Sequence, residues 1–112
     1  MYEVLVSNYF AKQVRCLAKR NRALKETLRV ALFGFNKERA ISIGQSVYKL
    51  RLAYQNKGKS GGYRLYVYVV EMNKILTPIA IYSKSEKENL TLEEMSKHLA
   101  RVKAELSGLL AP

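Results

Sequence analysis

Apolar residues along the chain change period twice, giving a helical first third, a stranded middle and a helical end. A short apolar run at residues 4–7 predicts a strand, after which Ser7 or Asn8 can cap a helix. From residue 9 to about 21, Phe10, Val14 and Leu17 recur at helical spacing. From about 22 to 37, Leu24, Leu28, Ala31, Leu32 and Phe35 share one side of a second helix. The two make a helical hairpin whose outer face carries Lys12, Arg15, Lys19, Arg20, Arg22 and Lys25. Residues 41–46, with Gly44, read as a connecting loop. Residues 47–53, 63–71 and 75–83 then alternate with period two. They are joined by a Gly/Lys-rich loop at 56–62 and a turn at 72–74, which predicts an antiparallel meander. Pro78 lacks the N–H that a central strand uses, and so predicts an edge, a bulge or a break. Thr91 and Glu94 form a capping box. Leu92, Met95, Leu99, Val102, Leu106 and Leu109 mark the closing amphipathic helix.

The order β-α-α-β-β-β-α predicts a single α+β domain over residues 1–112, with the hairpin packed on one face of the meander. Alternation assigns the faces. Leu50, Leu52, Leu65, Val67 and Val69 belong to the core. Lys49, Arg51, Arg64, Tyr66 and Tyr68 fall on the opposite side, expected to be open.

Charge changes the picture more than composition does. The chain has 112 residues, a net charge of +11 and no Asp. Residues 1–85 hold 16 Lys and Arg against 4 Glu, whereas residues 86–112 hold 4 against 5. So basic a domain repels itself unless a polyanion arrives, and nucleic acid is the leading candidate, ahead of a membrane surface or an acidic protein. No signal peptide or membrane span is visible, so the chain reads as cytoplasmic and the Asn89-Leu90-Thr91 sequon has no secretory route. Cys16 is the single cysteine; it forms no internal disulfide and reads as a buried structural thiol rather than a nucleophile.

Cations and aromatics interleaved on one sheet face suit single-stranded RNA, with cations on phosphates and rings on splayed bases. Lys57 and Lys59 lie in the loop between two of the strands, and Lys84 leaves the last one. The plainer reading is a solvated strand face with Tyr chosen for β-propensity. The chemistry of cleavage is also within reach. RNA supplies its own 2′-hydroxyl nucleophile; the protein needs a base, positive charge for the transition state and an acid for the leaving oxygen. Arginine holds a transferring phosphoryl group well, and crowding among cations makes a lysine release its proton more readily. Such a site needs neither a metal nor a cofactor. His98 reads as a surface helix residue beside Glu94 and Arg101. Gly58-Lys59-Ser60 is not a P-loop, because Ala53 stands where the first Gly belongs and a strand follows.

Three blocks carry a family resemblance: Tyr48-Lys49-Leu50-Arg51-Leu52-Ala53, Lys57-Gly58-Lys59-Ser60-Gly61-Gly62-Tyr63-Arg64, and Ile81-Tyr82-Ser83-Lys84-Ser85-Glu86-Lys87-Glu88-Asn89-Leu90. Together they resemble the RelE/ParE toxin superfamily, and its HigB-like branch in the Lys-Gly-Lys-Ser-Gly-Gly-x-Arg loop. The likeness is strong over residues 47–95 and extends to the whole chain in element order. It implies the toxin of a type II toxin–antitoxin system, an endoribonuclease cleaving messenger RNA on the ribosome. It also implies a cognate antitoxin, of helix-turn-helix type in this branch, and a toxin–antitoxin hetero-oligomer. The family's catalytic basic positions carry over to Lys49, Arg51 and Arg64. Arg51 stands where RelE has a Lys, and Ser85 and Thr91 stand where it has an Arg and a Tyr. Lys84 and one of Tyr66, Tyr68 or Tyr82 are the substitutes. Two other readings stand beside this one: a ParE-like toxin that binds gyrase, and a basic RNA-binding module without catalysis.

Overall fold

The computed structural model describes residues 2–53 and 62–110. It has three helices and a five-stranded mixed sheet: β1 (Glu3–Val4), α1 (Asn8–Ala18), α2 (Leu24–Phe33), β2 (Ile41–Ser42), β3 (Val47–Ala53), β4 (Gly62–Val70), β5 (Ile75–Ser83) and α3 (Leu92–Leu110). The sheet runs β1-β5-β4-β3-β2, with β1 parallel to β5 and the other pairs antiparallel. The predicted α+β architecture is therefore the observed one. Both hairpin helices are shorter than expected. The Asn21 side chain takes the N–H of Ala23 to start α2, and Gly34 ends it by donating to Val30 O. The expected 41–46 loop contributes the edge strand β2 before Gly44, Gln45 and Ser46 turn through positive φ.

Each face of the sheet has a core. On one, Phe10, Val14, Leu24, Leu28 and Leu32 of the hairpin pack on Leu52, Leu65, Val67 and Val69. On the other, Met95, Leu99, Val102 and Leu106 of α3 pack on Val47, Tyr66, Ile79 and Ala80. This second core corrects the expectation of an uncovered face. A period-two pattern says which side chains share a side, and says nothing about what lies over them. Burying four α3 side chains contributes about 1.5–3 kcal/mol each, so packing holds α3 in place. Leu92, counted in the stripe, instead lies exposed at the first turn. The capping box forms as predicted: Thr91 Oγ1 accepts from Glu94 N at 3.0 Å and Glu94 accepts from Thr91 N at 2.9 Å.

α3 is also tied to α1. The Glu105 carboxylate accepts the backbone N–H groups of Asn8 and Tyr9, two of the donors that a helix start leaves unpaired. Tyr9 Oη and His98 Nδ1 lie 2.6 Å apart, and the Arg101 guanidinium sits over the Tyr9 ring. His98 is thus half-buried in a helix–helix contact rather than a free surface residue, and burial pushes its pKa down. Cys16, expected inside, is exposed on α1.

Pro78 sits at a break of the predicted kind. The β4–β5 register slips between Tyr66 and Val67, which pair with Ala80 and Pro78. Among the described residues β1 pairs with β5 only at Ile75 and Leu76, and beyond that point β5 has no strand on that side. Gln13 of α1 fills the position: its amide donates to Ile79 O at 3.1 Å and accepts from Ile81 N at 3.0 Å.

Gln13→Ala leaves those two backbone groups unpaired in a buried stretch. It is expected to lower unfolding free energy by about 1–3 kcal/mol, read as a lower urea midpoint at unchanged m-value. His98 gives a second test. The unfolded chain takes up a proton near the ordinary histidine value of 6.5, whereas the folded chain resists it. Stability therefore falls as pH drops below about 6.5 toward the lowered native value. The melting temperature of the wild type should drop more between pH 7 and pH 5 than that of His98→Gln.

Candidate functional site

The site is built on β3, β4 and β5, and register decides its layout. Directly opposed residues share a face. Arg51 pairs with Arg64, and Arg64 with Tyr82, making one rank across three strands. Lys49 pairs with Tyr66, and Tyr66 with Ala80, making the next. Val47 and Tyr68 form a third, under α3. Lys49, Arg51, Arg64, Tyr66 and Tyr68 thus share the side away from the hairpin, as alternation predicted, and the register adds Tyr82 to them. Lys84 follows β5 directly; its backbone N–H donates to Gly62 O, and the residue is exposed. Lys57 and Lys59 lie outside the described residues.

Exposure within this set is uneven. Arg51 is exposed and Lys49 half-buried, whereas Arg64 is 4% exposed and Tyr66 2%. The segment between β5 and α3 accounts for part of this covering. Glu88 Oε1 accepts from Arg64 Nη2 at 3.3 Å, Asn89 Oδ1 from Lys49 Nζ at 2.6 Å, and Tyr66 Oη from the backbone N–H of Leu90 at 3.1 Å. Lys87 pairs with Glu94 at the start of α3. The expectation that Tyr66 and Tyr68 present free stacking surfaces is therefore corrected. Tyr66 is sealed beneath Leu90 and packed with α3, and Tyr68 packs against α3 with Lys103 over its ring. Tyr82 lies stacked on Tyr66 at 6.0 Å between centroids, and its hydroxyl donates to Tyr66 Oη at 3.3 Å. Burial first, and then the Tyr66 hydroxyl, push the Tyr82 pKa up, so Tyr82 stays a neutral donor across the physiological range.

The electrostatics follow from these positions. Arg51 and Arg64 are like charges on directly opposed residues, an arrangement that destabilises a sheet. Arg64 is buried, and a buried guanidinium needs an anion or acceptors. Glu88 supplies the anion in the free chain. Chemically, the face offers a forked donor at Arg64, a second at Arg51, a primary amine at Lys49 and another at exposed Lys84. That set is suited to holding phosphate oxygens.

Sequence reasoning missed Glu88, Asn89 and Leu90. The signal available was the change of charge after residue 85, where the run Glu86-Lys87-Glu88 enters directly from the basic strands. Beside the face, Phe35, Arg39, Ile41, Lys49, Leu50 and Arg51 contribute to the lining of an open groove of about 420 Å³ at the edge of β3. No helix among the described residues is long and apolar enough to cross a membrane.

The fold is similar to the solved structure of an arginine-to-alanine double mutant of the E. coli toxin RelE in the free state. The TM-score is 0.53 at 18% sequence identity, over 90% of this chain and 97% of that one. No curated protein matches the sequence. The family model described as the RelE toxin of the RelE/RelB toxin–antitoxin system matches residues 3–109, and the chain belongs to that family.

Proposed function

We propose that this RelE-family toxin is a metal-independent endoribonuclease that cuts messenger RNA, on the ribosome, and so arrests translation. Its activity is held in check by a cognate antitoxin of helix-turn-helix type, in a cytoplasmic toxin–antitoxin complex. The observation that carries the reading is the register of β3, β4 and β5. It brings Lys49, Arg51 and Arg64 onto adjacent positions of one face, a concentration of positive charge that suits a polyanion.

In this reading the 2′-hydroxyl of the RNA attacks the adjacent phosphorus. The P–O bond to the 5′-oxygen breaks, leaving a 2′,3′-cyclic phosphate and a 5′-hydroxyl. Arg64 and Arg51 hold the non-bridging oxygens, where charge grows in the transition state. Lys49 and Lys84 are the candidates for the proton transfers: one, acting as the neutral amine, takes the 2′-hydroxyl proton, and the other, acting as the ammonium, gives one to the leaving 5′-oxygen, since arginine does not release its proton. Tyr82 contributes a neutral hydroxyl to the same face, and Lys57 and Lys59 are further candidates for binding the RNA.

Arg64→Ala is expected to lower the cleavage rate on the order of 10²–10³-fold and to relieve growth arrest, with the circular dichroism spectrum retained. Primer extension on ribosome-bound transcripts checks the first effect, and colony counts after induction check the second. Intact transcripts together with blocked DNA supercoiling in the wild type would overturn the nuclease reading in favour of a gyrase-binding toxin.

A further inference from the structure

Three consecutive residues, Glu88, Asn89 and Leu90, touch three different members of the basic face: Arg64, Lys49 and Tyr66. Two of the three contacts place an oxygen acceptor on a cation, as a phosphodiester would. We infer that Glu88 and Asn89 occupy the seat of the RNA backbone, so that substrate binding is an exchange. A non-bridging phosphate oxygen displaces the Glu88 carboxylate from Arg64, and the Asn89 amide gives up Lys49. This inference rests on the RNA-cutting reading above and names what that reading leaves open: what holds the phosphate site while no RNA is present.

Charge and burial support it. The Arg64 side chain is 5% exposed and that of Glu88 is 61% exposed. A phosphate reaching the guanidinium meets the carboxylate there, and one anion must leave before the other binds. Anchoring supports it too. Ser83 Oγ and Ser85 hold the segment at its start, and the Thr91–Glu94 capping box holds it at its end. Between these points Glu88 and Asn89 are exposed and meet the face through polar contacts, whereas Leu90 packs against the second core. Polar contacts involving an exposed carboxylate are weak, whereas α3 is held by apolar burial. Glu88 and Asn89 can therefore turn away while Leu90 and the helix remain docked.

The test measures binding of a short single-stranded RNA to the full chain by fluorescence anisotropy, alongside cleavage of ribosome-bound transcripts by primer extension. Three variants decide it. Glu88→Gln removes the carboxylate; Glu86→Gln changes net charge equally at an exposed neighbouring position; Glu88→Asp keeps the charge but shortens its reach. Glu88→Gln should bind RNA about three- to tenfold more tightly, the scale of one ion pair between an exposed carboxylate and a buried cation. Glu86→Gln should stay within about twofold, the scale of a single screened charge. Glu88→Asp should tighten binding at unchanged net charge, which keeps the inference testable if Glu88→Gln melts early. The gain should vanish when Arg64→Gln is added. Equal effects of Glu88→Gln and Glu86→Gln would overturn the inference, since long-range charge would then suffice. Cleavage lost in Glu88→Gln at unchanged affinity would also overturn it, because the carboxylate would then act on the reacting groups. Should neither the wild type nor these variants bind or cut RNA, the nuclease reading falls as well. Should the wild type cut RNA without the expected tightening, only the exchange falls.

Discussion

Strand β4 serves two cores at once, and everything else in the molecule is arranged around that demand. Its odd-numbered residues from Tyr63 to Val69 go to the helical hairpin, while Arg64, Tyr66 and Tyr68 go to the side of α3. A slip of one residue would drive a guanidinium into the hairpin core and leave Leu65 among cations, so the register admits little play. The register slip at Tyr66 and Val67 lies on this strand's pairing with β5, and β3 is paired to it residue for residue from Val47 to Ala53. The hairpin core thereby fixes the positions of the charged residues on the reverse side.

That arrangement places cations where the sheet alone would disfavour them. Arg51 opposite Arg64 is unfavourable, and a guanidinium buried without an anion more so. In the free chain the burden falls on a segment that follows the sheet in sequence and returns to it in space. Glu88 answers Arg64, and Asn89 answers Lys49. With these contacts made, the buried guanidinium and the neighbouring ammonium are electrostatically satisfied by the chain's own residues.

Much of this was legible in the sequence. Alternation in residues 47–53 and 63–71 names the shared face, and the Thr91–Glu94 pair locates the start of α3 to the residue. Pro78 announced an irregularity because its missing N–H is a local fact. What sequence could not supply were long-range facts. The α3 stripe shows that Met95, Leu99, Val102 and Leu106 are buried, but a helical period does not say against which face. Cys16 looked internal beside Leu17, yet α1 meets its neighbours along Phe10, Gln13 and Val14 and leaves the thiol outward. Tyr66 looked like a stacking platform until Leu90, 24 residues away, was found above it. The covering of the candidate site depends on where a connecting segment lands, and its composition encodes only that it is not basic.

Gln13 bears on how this molecule behaves in company. A strand that runs past its neighbour exposes a ladder of peptide groups that another chain can extend. Here a carboxamide, which is a peptide group carried on a side chain, closes two rungs of β5 from the flanking helix. The sheet thus ends on a polar plug in place of a sixth strand. A sheet finished in this way offers less of a template for strand exchange with other copies of the chain.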